Sequence, residues 1–159
     1  MEPLFKTRTQ YTYTEYERLC MTINMQPNRF PKAAVLLCGA FLILSCLFYF
    51  MHLPYVSIVF AGMIVLAPLG IFLSLKMQIK KTYAANSLVQ DAAVILRFFE
   101  DHLEIYSAKG YSYVQYSDIV RILETKTNYY LMISDTTGII AVKENCEPAL
   151  QKFIKTMKA

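Results

Sequence analysis

The alternation of apolar and polar residues divides the chain into three kinds of segment. From Phe5 to Tyr13 the pattern has a period of two, which predicts a β-strand with one more apolar face. Residues 33–75 contain no Asp, Glu, Lys or Arg and are almost continuously apolar. After residue 91 the period returns to two, with turn residues between short runs. The pattern therefore predicts a small β domain and a long apolar segment in one chain.

The apolar segment is long enough for two membrane-spanning helices, because one span needs about 20 apolar residues. Proline suits the first turn of a helix better than its interior, so the segment divides at Leu53-Pro54. This division predicts spans over 33–52 and 55–75, within a membrane domain of residues 32–76. A single helix through the whole segment would greatly overshoot a bilayer, so a hairpin is the preferred interpretation.

The cations beside the two predicted spans indicate their orientation. They lie before the first span and after the second, and the hairpin loop carries none. The positive-inside rule then places both termini in the cytoplasm of a multi-pass membrane protein. The predicted membrane-interface residues are Arg29, Lys32, Lys76, Lys80 and Lys81.

Small residues fall on one face of each predicted span, where they allow two helix backbones to approach closely. We expect these faces to pack the two helices of the hairpin together; the alternative is a face that binds a partner. The predicted helix-packing residues are Ala34, Cys38 and Ser45 on the first span and Ala67, Gly70 and Ser74 on the second.

Residues 1–31 are predicted to form a cytoplasmic strand followed by an amphipathic helix. Thr14 stands three residues before Glu17, which is the spacing of a capping box at a helix start. The helix then has one apolar face, which either the bilayer or the C-terminal domain is expected to cover. That face consists of Tyr16, Leu19, Cys20 and Ile23.

Residues 77–91 are predicted to continue as a juxtamembrane helix, and residues 92–159 to form the β domain. The Glu147-Pro148 pair opens a final amphipathic helix that runs to about Met157. The fold class predicted is a membrane α + β protein, with a transmembrane hairpin followed by a small antiparallel β domain that the C-terminal helix closes. The six predicted strands are Ala92–Phe99, His102–Tyr106, Tyr111–Gln115, Ile119–Glu124, Asn128–Ile133 and Ile139–Val142.

Several motifs of this β domain resemble those of a known family. They are Leu103-Glu-Ile-Tyr, Tyr116-Ser-Asp-Ile119, Ile122-Leu-Glu-Thr125 and Asn128-Tyr-Tyr-Leu-Met-Ile133, followed by Lys143 and a helix. This stretch resembles the C-terminal domain of YcxB-like bacterial membrane proteins. The resemblance implies a two-span hairpin, a pleckstrin-homology-like β domain and a location in the bacterial inner membrane, but it implies no particular activity.

The resemblance also leads to a structural hypothesis. A pleckstrin-homology barrel uses seven strands, whereas only six are predicted after the membrane segment. The strand Phe5–Tyr13 lies on the same predicted side of the bilayer. We therefore expect it to supply the missing edge strand of the β domain.

The composition of the chain argues against several classes of function. Hydrophobic residues make up 55% of the chain and charged residues 18%, which argues against a single water-soluble globule. The five glycines form no nucleotide-binding loop, and the four cysteines (Cys20, Cys38, Cys46 and Cys146) form no CxxC pair. We accordingly predict no metal site and no cofactor.

Candidate catalytic residues are sparse. His102 follows Glu100-Asp101, but neighbouring residues of a hairpin are expected to splay apart into a solvated turn. An enzymatic interpretation would require a turnover that disappears when His102 or Asp118 is changed. The chain is therefore predicted not to be an enzyme, and it shows no feature of a small-molecule substrate site.

Nucleic acid is not an expected partner, because residues 82–159 carry eight Lys or Arg against nine Asp or Glu. Tyr111 and Tyr113 share one face of a predicted strand, and we expect them to be core or half-buried packing residues rather than a base-stacking platform.

The leading functional hypothesis is a protein-binding or assembly module held at the lipid bilayer. Its partner is expected to be a membrane or cytoplasmic protein or a second copy of itself, in preference to a lipid headgroup, because the domain lacks a basic patch. The alternative is a small regulatory or accessory subunit of a transporter or membrane enzyme, which docks through its transmembrane helices.

Overall fold

The computed structural model describes residues 2–26, 30–86, 90–108 and 110–157, with the side chains of residues 30, 31 and 33 left undescribed. The chain divides into two compact units, one of residues 1–20 and 83–159 and one of residues 21–82. The helices are α1 (Tyr13–Asn24), α2 (Phe30–Phe50), α3 (Pro54–Ala85) and α4 (Pro148–Thr156). The strands are β1 (Phe5–Tyr11), β2 (Ala92–Phe98), β3 (His102–Ser107), β4 (Gly110–Gln115), β5 (Arg121–Glu124), β6 (Asn128–Met132) and β7 (Gly138–Val142).

The first unit, which we call the β domain, contains two antiparallel sheets. One has the strand order β1-β2-β3-β4 and the other the order β5-β6-β7. β1 pairs with β2 over all seven of its residues, from Phe5 opposite Phe98 to Tyr11 opposite Ala92. The prediction that the N-terminal strand completes the β domain as an edge strand is therefore confirmed.

The core of the β domain lies between the two sheets and is closed by α4. Alternate residues of β2 point into it, and Leu96 and Phe98 are fully buried there. Leu150 and Ile154 of α4 are buried in the same cluster, because these two positions lie one turn apart on the apolar face of the helix. α4 begins at Pro148 as predicted, and it ends at Thr156.

The central strand β6 is buried at all five of its positions, although a sheet with one solvated face would show alternation. The N-terminal segment covers its second face. The Nδ2 amide of the fully buried Asn128 donates hydrogen bonds to the Glu15 carboxylate and, over 3.1 Å, to the Tyr130 hydroxyl. The Ile140 amide donates to the Tyr11 hydroxyl over 3.1 Å. The first turn of α1 therefore lies against the β domain, and Tyr16, Leu19 and Cys20 of its apolar face line a pocket together with Gly138 and Ile140 of β7.

The start of α1 differs from the prediction. The helix begins at Tyr13, and the Glu15 amide donates to the Thr12 hydroxyl over 3.3 Å. Thr12, not Thr14, is thus the N-cap residue, since its side chain accepts a bond from the third helical residue. Thr12 and Glu15 have the same spacing as Thr14 and Glu17. The spacing alone therefore did not distinguish the two possible starts of the helix.

In the second unit, α2 and α3 pack against each other as an antiparallel pair. The Ser57 hydroxyl donates to the Ser45 carbonyl over 2.8 Å, and the Ser45 hydroxyl lies 3.0 Å from the Ser57 carbonyl. The ring of Phe60 stacks on that of Phe48 at 5.3 Å. Reciprocal serine bonds satisfy polar groups between two apolar helices, which stabilises their pairing.

The turn between α2 and α3 is built around His52. This residue has a φ of 60°, its amide donates to the Tyr49 carbonyl, and the Leu53 amide donates to the Phe48 carbonyl. These two bonds form a Schellman motif, which ends α2 at Phe50, two residues before the predicted end of the first span. α3 then begins at Pro54, where the chain was predicted to divide.

α3 replaces two elements that were predicted separately. It runs without a break from Pro54 to Ala85, so the second predicted span and most of the juxtamembrane helix are one helix of 32 residues. The predicted juxtamembrane helix extended to Asp91, but α3 ends at Ala85, and residues 87–89 lie outside the described residues. The Gln90 side chain donates to the Tyr83 and Ala84 carbonyls, which satisfies the last carbonyls of the helix.

Among the described residues, one helix is long and apolar enough to be a candidate membrane span. This helix is α3, with a mean hydropathy of 2.5 over its best window. The described apolar part of α2, Ala34–Phe50, is shorter than the 18 residues needed for a candidate span. Length and composition therefore indicate membrane association of the chain, with one candidate span among the described residues, and the second predicted span is not confirmed.

Candidate functional site: the outer face of the four-stranded sheet

The outer face of the four-stranded sheet is the most distinctive surface of the β domain. The strand register places Lys6 opposite Arg97, Arg97 opposite Glu104, and Glu104 opposite Tyr113. The next outward row places Tyr106 opposite Tyr111. Since alternate residues of a strand share one face, cations occupy the β1 side of this face and aromatic residues the β4 side.

We call the aromatic part the tyrosine surface; it consists of Arg97, His102, Glu104, Tyr106, Tyr111 and Tyr113. The Glu104 carboxylate accepts hydrogen bonds from the Tyr106 hydroxyl over 3.1 Å and from the Tyr111 hydroxyl over 3.0 Å. The Arg97 guanidinium lies over the Tyr106 ring, 4.5 Å from its centroid. These contacts hold the polar ends of the side chains together and leave ring surface for a partner.

The Glu104 carboxylate also affects the ionisation of both phenols. Partial burial, followed by the hydrogen bond to Glu104, raises the pKa of Tyr106. The hydrogen bond to Glu104 is the main cause that raises the pKa of Tyr111. Both residues therefore remain neutral hydrogen-bond donors above the pH at which an ordinary tyrosine ionises.

Tyr111 and Tyr113 were predicted to be core or half-buried packing residues, and the core alternative is wrong. Their exposed fractions are 53% and 48%, whereas Val114 between them is buried. The alternation of β4 was assigned correctly, but its apolar face was not. Val114 points into the core because it lies opposite the buried Leu103 of β3 in the register.

His102 begins β3 as the predicted strand did, but the expectation that it splays away from Asp101 in a solvated turn is wrong. His102 is the first residue of β3, and its ring stacks between those of Phe99 at 4.5 Å and Tyr113 at 4.6 Å. Its Nδ1 lies 2.6 Å from a carboxylate oxygen of Asp101, and this hydrogen bond lowers the pKa of Asp101. The two neighbours therefore pair instead of splaying apart, because the ring is held by its aromatic neighbours.

A concave region that we call the β1 groove adjoins the tyrosine surface, with a cavity volume of about 650 Å³. Two of its side chains are exposed cations, and none is a carboxylate. The side-chain amide of Asn145 donates a hydrogen bond to the Arg8 carbonyl over 2.8 Å, which fixes one wall of the groove. Its lining residues are Lys6, Thr7, Arg8, Gln10, Ile95 and Asn145.

The predicted membrane-interface residues do not converge on a site. Lys76, Lys80 and Lys81 are exposed on α3, and the Lys76 ammonium lies 5.3 Å from the Phe72 ring centroid. Lys32 is exposed near the start of α2, and Arg29 lies outside the described residues. Their role at a bilayer remains a prediction.

The predicted helix-packing residues fall into two groups. On α2, the Cys38 thiol donates to the Ile64 carbonyl over 3.5 Å and Ser45 bonds to Ser57, so both lie against α3; Ala34 is half-buried. On α3, three small residues line a groove of about 630 Å³ that also includes Leu37 of α2. These three are Ala67, Gly70 and Ser74.

Within the described parts of the chain, no three side chains among His, Cys, Asp and Glu come together in a way that would hold a metal ion. What the sequence interpretation missed was the cationic side of the outer face. The charge count of the C-terminal segment omitted Lys6 and Arg8, which the pairing of β1 brings beside Arg97. The signal was available in the alternation of Lys6, Arg8 and Gln10 along the predicted strand.

Comparison with known proteins gives one match. No curated protein and no solved structure matches the chain significantly. The family described as "YcxB-like protein" matches residues 98–154, which run from the end of β2 through α4. This segment of the chain is therefore similar to the YcxB-like family, in agreement with the resemblance of its motifs.

Proposed function

We propose that this protein is a membrane-anchored binding module, without catalytic activity, whose β domain binds another protein through the tyrosine surface. The single observation that carries the proposal is the exposure of Tyr111 and Tyr113 on the same sheet face as Arg97. Tyrosine and arginine are enriched among the residues that dominate protein–protein binding energy. The tyrosine surface combines both residue types within two adjacent rows.

The packing of the β domain supports the choice of this surface over the other sheet. The second face of β6 is already covered through Asn128 and Glu15, whereas the outer face of the four-stranded sheet is not covered at β4. The hydrogen bonds to Glu104 orient the rings of Tyr106 and Tyr111 before a partner arrives. A pre-oriented side chain loses less conformational entropy on binding.

Two further parts of the proposal rest on the fold. The β domain consists of a four-stranded and a three-stranded sheet with a closing C-terminal helix. This arrangement supports a pleckstrin-homology-like architecture. The antiparallel pairing of α2 with α3 supports a hairpin that crosses the bacterial inner membrane twice, with both termini in the cytoplasm. The hairpin would keep the β domain at the bilayer, where it meets membrane proteins and their cytoplasmic parts.

The proposal predicts the effect of changing Tyr111 and Tyr113 together to serine. We expect the partner to be lost, since truncating such a residue typically costs about 2 kcal/mol or more of binding free energy. The measurement is extraction of the full chain with its native lipid in a polymer, followed by quantitative mass spectrometry of the proteins that co-purify with the original chain and with the variant.

Val120→Ser is the matched control, because Val120 is exposed at 66% and lies outside the tyrosine surface. This control should retain every partner of the original chain. Retention of all partners by the double tyrosine variant would contradict the proposal, provided that its circular dichroism shows a folded β domain.

The second candidate function is an accessory subunit that docks through α3 within the membrane. The groove lined by Ala67, Gly70 and Ser74 favours it, because a Cβ added to Gly70 would meet no described atom within 4 Å. This small-residue surface is thus not fully used in the packing of α2 on α3. A helix of another membrane protein has room to approach it closely.

Gly70→Leu tests this candidate. The added Cβ would meet no described atom within 4 Å and the rest of the side chain would occupy the groove, so we expect loss of a membrane partner while the β domain stays folded. Gly62→Leu is the control, since Gly62 also has no described atom within 4 Å of an added Cβ and does not line the groove. If both variants co-purify with the same proteins as the original chain, docking at this groove is excluded.

A further inference from the structure

We infer that the β1 groove binds an acidic, extended segment of the partner protein, with carboxylates at alternate positions. This inference rests on the proposed function and specifies the chemistry of the partner. It begins from a charge arrangement that the register imposes. Lys6 stands directly opposite Arg97, with Arg8 on the same face of the next outward row. Like charges directly opposite each other in a sheet are destabilising.

The described residues of the β domain do not pair the two β1 cations with a carboxylate. Among the described residues, no ion pair joins Lys6 or Arg8 to a carboxylate. Glu104 lies opposite Arg97 across β2 and β3 and offsets part of the Arg97 charge, but no ion pair joins it to Lys6 or Arg8 among the described residues. The groove thus presents positive charge that an anionic partner would neutralise.

The lining of the β1 groove adds polar groups suited to a carboxylate. Gln10 is exposed at the next outward position of β1 after Arg8, and none of the described lining residues is acidic. An anion that enters the groove therefore meets two cations and an amide side chain, and no carboxylate within the lining would repel it.

The spacing of the two cations points to an extended peptide. Lys6 and Arg8 are separated by two residues of a strand, which corresponds to roughly 6–7 Å along its axis. Alternate residues of an extended peptide have the same spacing. A partner segment in which every second residue is acidic would therefore place successive carboxylates near Lys6 and Arg8, next to Arg97 of the tyrosine surface.

The test uses the full chain in nanodiscs of uncharged phosphatidylcholine and a fluorescent peptide of four Glu-Ser repeats. Fluorescence anisotropy should show binding that weakens as sodium chloride is raised, since salt screens exposed charges. Changing Lys6→Gln and Arg8→Gln together should weaken binding roughly tenfold or more. Glutamine suits these positions, because Gln10 occupies the equivalent outward position of the same strand.

Two controls sharpen the result. Lys126→Gln with Lys152→Gln removes two exposed cations from other parts of the β domain and should leave binding unchanged. A peptide of four glutamates followed by four serines has the same composition, and we expect it to bind more weakly than the alternating peptide. Equal binding of the two peptides, or an equal loss in the two double variants, would overturn the inference.

Anionic lipid is the competing ligand, and phosphatidylglycerol vesicles test it directly. If the vesicles bind through Lys6 and Arg8 and the alternating peptide does not, the inference is wrong. Partner capture distinguishes this failure from failure of the proposed function. If partners are lost on changing Tyr111 and Tyr113 but kept on changing Lys6 and Arg8, the proposed binding module stands and the inference of an acidic partner segment is wrong.

Discussion

Phe98→Ala is expected to lower the free energy of unfolding of the β domain by roughly 3–5 kcal/mol. The Phe98 side chain is fully buried, and its ring lies edge-on to that of Phe153 in α4, with 6.4 Å between centroids. Alanine would leave a cavity where β2, β3 and α4 meet. Since domains are stable by only about 5–15 kcal/mol, this loss is a large fraction of the total.

Urea unfolding of the full chain in detergent, followed by near-ultraviolet circular dichroism, measures this effect. Val120→Ala serves as the control, because Val120 is largely exposed and its truncation should change the stability by no more than about 0.5 kcal/mol. Similar losses in the two variants would mean that the core does not lie between the two sheets.

Thr7→Cys is expected to form a disulfide with the native Cys146 under mild oxidation. The Thr7 hydroxyl lies 3.8 Å from the Cys146 thiol, and the Thr7 side chain also donates to the Asn145 carbonyl over 2.7 Å. The bond would join residues 139 positions apart in the sequence. Closing so long a loop restricts the unfolded chain, which corresponds to about 4–5 kcal/mol of added stability in the chain-entropy description.

Non-reducing electrophoresis after proteolysis detects this cross-link, in a background where Cys20, Cys38 and Cys46 are replaced by alanine. Arg8→Cys is the matched control, since Arg8 is the next residue of β1 and its exposed side chain points to the outer face. Cross-linking of Arg8→Cys as efficiently as Thr7→Cys, or of neither, would contradict the position of β1 in the β domain.

Local patterns were sufficient for most elements. The period of two in residues 5–13 predicted β1, and the six later strands were predicted within a few residues of the observed bounds. Pro54 marked the start of α3 and Pro148 that of α4. Proline fixes its own backbone and lacks an amide donor, so its effect is local and readable from the sequence.

Other boundaries depended on features that local patterns do not specify. α2 ends at a left-handed His52, a conformation that glycine or asparagine usually marks. α1 begins at Tyr13, where Thr12 caps the Glu15 amide, and the Glu15 carboxylate also accepts a hydrogen bond from Asn128, a residue far along the chain. The bond between Thr12 and the Glu15 amide therefore forms within a tertiary contact, which the repeated Thr and Glu spacing did not reveal.

The candidate site shows even more clearly which features local patterns predict and which depend on strand pairing. The alternation of β4 predicted that Tyr111 and Tyr113 share a face, but which face becomes buried depends on the strands alongside. Val114 faces the core because Leu103 lies opposite it, and the tyrosines are consequently exposed. The stacking of His102 between Phe99 and Tyr113 likewise requires the pairing of β3 with β4.

The sequence by itself determined the long apolar segment, the strand and helix content of the β domain and its similarity to the YcxB-like family, because each depends on neighbouring residues. The tertiary structure alone decided that Lys6 lies opposite Arg97 and that the tyrosines are exposed beside them. Charge and exposure on a sheet face depend on which strands pair, and β1 is separated from β2 by the whole apolar segment. No local pattern specifies a pairing over that distance.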